Sequence, residues 1–187
     1  MSGIRIIGGT ARGRKIFRVP DSGVRPIGDR VKEALFNIIG VEIIDCTFLD
    51  LFAGTGSVGI EAISRGAEQV VFVDNNRRSV ATIQKNLELT KLGSQATVMF
   101  TDALALVSRP QKISFDYVYV APPQYKGLWS KALREIDSNS GLLNPDAWVI
   151  AQIHPREEED VSMQNLSEFD RRKYGNTLLI FYVYETE

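Results

Sequence analysis

Leu49-Asp50-Leu51-Phe52-Ala53-Gly54-Thr55-Gly56-Ser57-Val58-Gly59 reads as an apolar strand that runs into a glycine-rich turn and opens a helix. Glycines at 54 and 56 permit positive φ and leave no side chain between the backbone and a ligand. A helix starting near Ser57 aims unpaired N–H groups at the same space. The stretch therefore predicts a cofactor loop at the end of a strand in an α/β sheet.

Gly54, Gly56 and Gly59 fit G-x-G-x-x-G, and Asp74 lies twenty residues beyond Gly54. Taken alone, that is the dinucleotide fingerprint. Asp50, four residues before Gly54, opposes a dinucleotide, because a carboxylate beside a pyrophosphate is repelled. S-Adenosylmethionine has no phosphate. Its sulfonium and α-ammonium suit a carboxylate, directly or through water, and its own carboxylate suits a helix N-terminus. The pattern D-x-x-x-G-x-G resembles motif I of the class I methyltransferases, and an NAD oxidoreductase stays as a weaker alternative.

The chain around this loop alternates strand and helix. Strands are expected at 48–52, 69–74, 96–101, 115–121 and 147–153, and helices near 57–66, 76–92 and 127–138. Val80, Ile83 and Leu87 form a buried stripe, and Gly66 and Gly93 are expected helix stops. Such alternation implies a parallel sheet with helices on both faces. Phe169–Tyr174 and Thr177–Tyr184 flank Gly175-Asn176, a hairpin signal. The expected fold is a Rossmann-like class I methyltransferase: a mostly parallel seven-stranded sheet closing on an antiparallel C-terminal hairpin.

Ahead of it, 4–7 and 14–19 are β-like runs joined by a Gly-rich basic turn, which predicts an N-terminal β-hairpin extension. Asp29 is expected to cap a helix that buries Val31, Ala34, Leu35, Ile38 and Ile39. We divide the chain into a basic extension, 1–45, and a methyltransferase domain, 46–187.

At 187 residues, with 44% hydrophobic and 24% charged residues, the chain suits one soluble core. The net charge of −1 is uneven: residues 1–37 carry +5 and the remainder −6. Arg12, Arg14, Lys15, Arg25, Arg30 and Lys32 are candidate phosphate contacts, against the plainer reading of a solvated basic face. A single cysteine, Cys46, and a single histidine, His154, leave no metal set and no Ser–His triad. His154 is expected at a strand end with no chemical role. No apolar leader or span is visible, so a cytoplasmic protein is expected, with no membrane or metal partner and acting as a monomer.

Ligands of open α/β sheets sit outside the carboxyl ends of the strands. Asp50, Asp74 and Asp102 fall at such ends. Asp74 can accept from ribose hydroxyls, and Asp102 from an adenine amine while the Ala103 N–H faces the ring. The expected cofactor set is Asp50, Phe52, Ala53, Gly54, Gly56, Asp74, Asn75, Asp102 and Ala103. After the fourth strand comes Ala121-Pro122-Pro123-Gln124-Tyr125. Two prolines leave the backbone with acceptors only, which is what a base amine needs to orient its N–H bonds. An aromatic nearby can stack on a flipped base. These five residues are the candidate catalytic set.

Arg5-Ile6-Ile7-Gly8-Gly9, Arg12-Gly13-Arg14-Lys15, Arg25-Pro26 and Asp29-Arg30-Val31-Lys32-Glu33-Ala34-Leu35-Phe36-Asn37 resemble the RsmD family of bacterial ribosomal RNA guanine-N2 methyltransferases. So do Asp50–Gly56, Glu61-Ala62, Ser64–Ala67 and Phe72-Val73-Asp74, so that the likeness spans the chain. The resemblance implies S-adenosylmethionine as donor, a guanosine of small-subunit (16S) rRNA or its pre-ribosomal particle as acceptor, and a basic extension that holds RNA. One departure lies at the chemistry. The family has Asp or Asn before the prolines and an aromatic directly after them, where this chain has Ala121 and Gln124. A second reading follows from that departure: an RNA-binding protein of methyltransferase fold with impaired catalysis. A DNA or protein amine methyltransferase is disfavoured by the N-terminal likeness.

Overall fold

The glycine loop ends the central strand of a sheet whose neighbours arrive from both directions of the chain. The computed structural model describes residues 3–20, 26–139 and 141–185. Strands β1 (Ile4–Arg5) and β2 (Lys15–Ile16) form a short antiparallel pair, followed by helix α1 (Asp29–Ile39). Then come β3 (Thr47–Leu51), α2 (Ser57–Ser64), β4 (Gln69–Asp74), α3 (Arg77–Thr90), β5 (Ala96–Phe100), α4 (Ala103–Val107), β6 (Phe115–Val120), α5 (Leu128–Ser138), β7 (Leu143–Ile153), β8 (Leu166–Tyr174) and β9 (Thr177–Tyr184).

The large sheet has seven strands in the order β5-β4-β3-β6-β7-β9-β8. The first five in that order run parallel, and β9 is antiparallel to both β7 and β8. The expected class I architecture, terminal hairpin included, is what forms. The order reverses at β3–β6, so a crevice opens there, at the strands' carboxyl ends.

Alternation sorts each strand between two cores. Phe48, Tyr117, Tyr119, Ile150 and Phe181 face α1, α2, α3 and the N-terminal hairpin. Leu49, Leu51, Val118, Val120, Val149 and Ala151 face α4 and α5. A period of 2 with both faces covered explains why these strands are almost continuously apolar.

Helix α2 lies against β4 so closely that a Cβ at Gly59 would stand 2.3 Å from the Phe72 ring. The third glycine of the loop is therefore a packing requirement. At the other end of α2, a Cβ on Gly9 would stand 1.7 Å from the Ser64 carbonyl oxygen, and the Thr10 N–H donates to that same oxygen. The N-terminal hairpin thus docks on α2, and its Ile4, Ile6 and Ile16 join the core around Phe48.

Several local expectations are corrected. Gly28, not Asp29, is the N-cap of α1. Asp29 sits in the first turn, where it accepts from Arg5 Nε at 2.8 Å. Lys91, not Gly93, ends α3 in the left-handed conformation, whereas Gly66, at φ 115° directly after the C-cap Arg65, does stop α2 as expected. The buried stripe of α3 includes Thr82, Ile83, Asn86 and Leu87, with Val80 only half-buried at its edge. The N-terminal strands are shorter than their β-like runs, and α4 was not anticipated because its five residues are too few to show a helical period.

Candidate active site

The crevice over β3 and β6 encloses about 480 Å³. Its floor comes from one face of three adjacent strands: Asp50 on β3, Tyr119 on β6 and Gln152 on β7. Asp50 and Tyr119 are direct register partners. The glycine loop forms one wall, Ala121–Gln124 the other, and Pro26 and Ile27 roof it from the segment ahead of α1.

Asp50 is buried, and its carboxylate accepts the Gly59 N–H at 2.9 Å. Burial without a cation pushes its pKa up to about 8, with the nearby Asp74 charge adding to the rise. A carboxylate held this way gains from a ligand that brings positive charge. Phe52, directly after β3, has φ 66°, a conformation rare for a bulky residue, and it lines the cavity.

Asp74 ends β4 half-buried and ties the loop together. One oxygen accepts the Gly54 N–H at 2.9 Å, and the other accepts the Asn76 N–H at 2.8 Å. Each oxygen keeps a lone pair for a ligand. Asn75, Ala53, Gly54 and Ala103 also line the cavity. Gly56 does not; at φ 76° it is the N-cap of α2, packed beside Ile83, while Thr55 and Ser57 face the space. Asp102 is exposed, accepts the Ala105 N–H as the cap of α4, and stands outside the cavity lining.

Among the catalytic candidates, Ala121, Pro122, Pro123 and Gln124 line the cavity. Tyr125 does not. It is 64% exposed at φ 61°, its N–H donates to Glu157 Oε1 at 2.6 Å, and its ring lies 5.7 Å from that of His154. His154 follows β7 directly and caps the short 3₁₀ turn Pro155–Glu157.

The basic residues divide. Arg12, Lys15 and Arg30 are exposed, and the guanidinium of exposed Arg14 donates to the Leu89 carbonyl at 2.7 Å. Arg25 lies outside the described residues. Lys32 is not a surface cation at all. Its side chain is fully buried, donating to the Arg5 carbonyl at 2.7 Å and to Ser57 Oγ at 2.9 Å, with Glu61 at 3.2 Å. Burial lowers its pKa, and Glu61 works against that shift. Glu61 also accepts the N–H groups of Ile7 and Gly8 and the Arg65 Nε. A lysine two residues beyond exposed Arg30 looks like part of a basic face by composition. Here the helix turns it inward beneath α2.

Sequence reading missed Tyr119, Gln152, Lys126 and the Pro26-Ile27 roof. Gln152 carried a usable signal: it is the polar residue inside the apolar run Trp148–Ile153. Among the described residues no helix is long and apolar enough to cross a membrane, and no group of acids, histidines and cysteine could hold a metal ion.

The profile of the family described as "Conserved hypothetical protein 95" matches residues 4–183. Ribosomal RNA small subunit methyltransferase D of Haemophilus influenzae is 38% identical over 151 residues, covering 80% of this chain and 78% of that protein. Its Escherichia coli namesake is 39% identical over 140 residues, covering 74% and 69%. The solved structure of yhhF from Escherichia coli, a "putative methyltransferase", superposes with a TM-score of 0.88 at 32% identity over all of both chains.

Proposed function

The chain belongs to the RsmD family of S-adenosylmethionine-dependent ribosomal RNA methyltransferases, and from that premise we propose that it methylates the exocyclic N2 amine of a guanosine in small-subunit rRNA, on the RNA or its pre-ribosomal particle. The observation that carries the cofactor half of this reading is Asp50, a buried carboxylate at the floor of the cavity whose ionised form needs a cation.

The residues present fit S-adenosylmethionine. Asp50 would hold the positive end, Asp74 has acceptor capacity that would serve the ribose hydroxyls, and the start of α2 at Ser57-Val58 would favour the carboxylate. When bound, the cofactor supplies an electrophilic methyl group on sulfur. The pocket's own work is to bring an amine in line with it. The Ala121-Pro122-Pro123 backbone offers carbonyls and, at both prolines, no competing donor. An acceptor there takes one N2–H and leaves the nitrogen lone pair free to form the N–C bond. The bonding pair the methyl leaves behind would stay with the cofactor's sulfur, and the amine's extra proton would pass to water. No strong base is required, so Ala121 costs the site a hydrogen bond rather than the reaction.

Incubating the purified protein with labelled S-adenosylmethionine and under-methylated small-subunit particles tests this function. Label recovered as N2-methylguanosine after nucleoside digestion is expected. Label on another nucleoside, or none, overturns it.

A further inference from the structure

β6 and β7 run parallel with Tyr119 opposite Ile150 and Val120 opposite Ala151. Carried one step further, that register sets Gln152 beside Ala121. Tyr119, Ala121 and Gln152 all line the cavity. The buried Tyr119 hydroxyl donates to Gln152 Oε1. Gln152 is half-buried, and no protein partner is recorded for its Nε2 among the described residues. No buried side-chain polar atom there lacks a partner, so that Nε2 is open to solvent. The carboxamide is thus pinned at one end and available at the other. It stands next to the one position where a side-chain acceptor for the amine is missing.

We propose that Gln152, held by Tyr119, is the specificity-determining residue that reads the guanine edge bearing the reactive amine, in place of an acceptor at Ala121. This inference rests on the guanine-N2 reading above. The chemistry matches: the N2–H donor of guanine stands beside its N3 acceptor. A carboxamide offers an acceptor and a donor side by side in the complementary order. Oε1 keeps a second lone pair for the N2–H while accepting from Tyr119, and Nε2 donates to N3. An alanine methyl at 121 leaves room for this approach. Tyr119 acts as a positioning residue, since it fixes the carboxamide without contacting the base.

A double-variant cycle decides the question. Gln152→Ala should lower kcat ~10²–10³-fold, the scale of one lost preorganised hydrogen-bonding group. Affinity for S-adenosylhomocysteine, read by calorimetry, should stay within about twofold, because the cofactor contacts lie on β3, β4 and α2. Ala121→Asp should then restore most of the lost rate in the Gln152→Ala background. Tyr119→Phe, which frees the carboxamide without removing it, should fall between. Independently of turnover, the wild type should bind a guanosine-containing RNA fragment more tightly than its inosine counterpart, which lacks the N2 amine. Gln152→Ala should erase that preference. A Gln152→Ala enzyme that keeps both its kcat and its preference overturns the proposal. So does a variant whose activity loss is matched by lost cofactor binding, or one that Ala121→Asp fails to rescue. If the wild type methylates no guanosine, the functional reading fails by itself, and the guanosine–inosine comparison still decides the role of Gln152.

Discussion

Asp74 and Gln152 are both half-buried polar residues at the carboxyl ends of strands, and both line the same cavity. They are held in opposite ways. Asp74 accepts from Gly54 and Asn76, backbone groups of its own β3–α2 and β4–α3 loops. Gln152 is held by a side chain, Tyr119, from a neighbouring strand. The proposed cofactor half of the site is therefore built from two successive strand–helix loops, with carboxylates that tie the loops together and keep acceptor capacity. The substrate half is assembled from β6, β7 and the roof ahead of α1, and its parts meet only through the sheet. Rigid local loops suit an invariant small cofactor. A wall composed of separate strands can change one residue, such as Ala121, without dismantling the rest.

The largest effect expected from this contrast lies beneath the cofactor half. Lys32→Met takes the ammonium from buried Glu61, leaving it Arg65 and two backbone N–H groups, and cuts the link from Arg5 to Ser57. Breaking a buried pair on one side costs about 3–5 kcal/mol. Urea unfolding should show that loss, with the N-terminal hairpin loosened along with the domain. A change below about 1 kcal/mol, the scale of a surface pair, would show that the extension does not share the cofactor half's stability. Next in size, Asp74→Ala should weaken S-adenosylhomocysteine binding by about 1–3 kcal/mol, since both the ligand's and the loop's hydrogen bonds are lost. Asp102→Ala should do less, because Asp102 caps α4 outside the cavity lining. Equal losses at the two positions, read by calorimetry, would erase the distinction between a lining carboxylate and a capping one.

The same contrast accounts for what the sequence reveals. The fold is legible because alternation between strand and helix, the glycine loop and the Gly175-Asn176 turn are all local patterns. The cavity carboxylates Asp50 and Asp74, proposed above to hold the cofactor, are legible because the loop's spacing fixes where they fall. Gln152 stands out as a polar residue in an apolar strand, but its meaning depends on strand register, which brings a residue of β7 beside Ala121 of the β6 end. Lys32 fails for the reverse reason. Its charge suggests water, but helical phase turns it toward Glu61, an acid inside the apolar run of α2. Charge counts over residues 1–37 cannot distinguish a phosphate contact from one half of a buried pair.

Asp50 gives the comparison a pH dependence. Its carboxyl titrates near pH 8 in the folded chain and near 3.8 when exposed. Between those values the folded state binds the extra proton, so this group's contribution to stability is greatest below about 4 and is lost as pH rises toward 8. A cationic ligand favours the ionised form, so cofactor binding at pH 7 should release up to one proton. Calorimetry in two buffers of different ionisation enthalpy should detect the release, and Asp50→Asn should remove it. Proton release that persists in Asp50→Asn would locate the titrating group elsewhere.

The smallest expected effects concern which half holds the RNA. Arg12 and Lys15 are exposed on the hairpin that docks on α2, on the cofactor side. Lys126 lines the cavity by the proline pair, and exposed Lys173 pairs across the terminal hairpin with Leu178, close to Thr177 at the cavity wall. Each cation that neutralises a phosphate of single-stranded RNA adds about 0.7 to the magnitude of the log–log salt slope. Arg12→Ala with Lys15→Ala should therefore flatten the slope by about 1.4 if both touch phosphate. Cofactor affinity should not move, because neither residue reaches the cavity. The pair Lys126→Ala with Lys173→Ala is the matched measurement for the substrate half. A slope change confined to the N-terminal pair would make the extension the RNA-holding element and leave the terminal hairpin as a wall. Equal changes would place the RNA across both halves, with the target base entering between the two basic edges. An unchanged slope in the N-terminal pair would mean that the +5 charge of residues 1–37 is a solvated face.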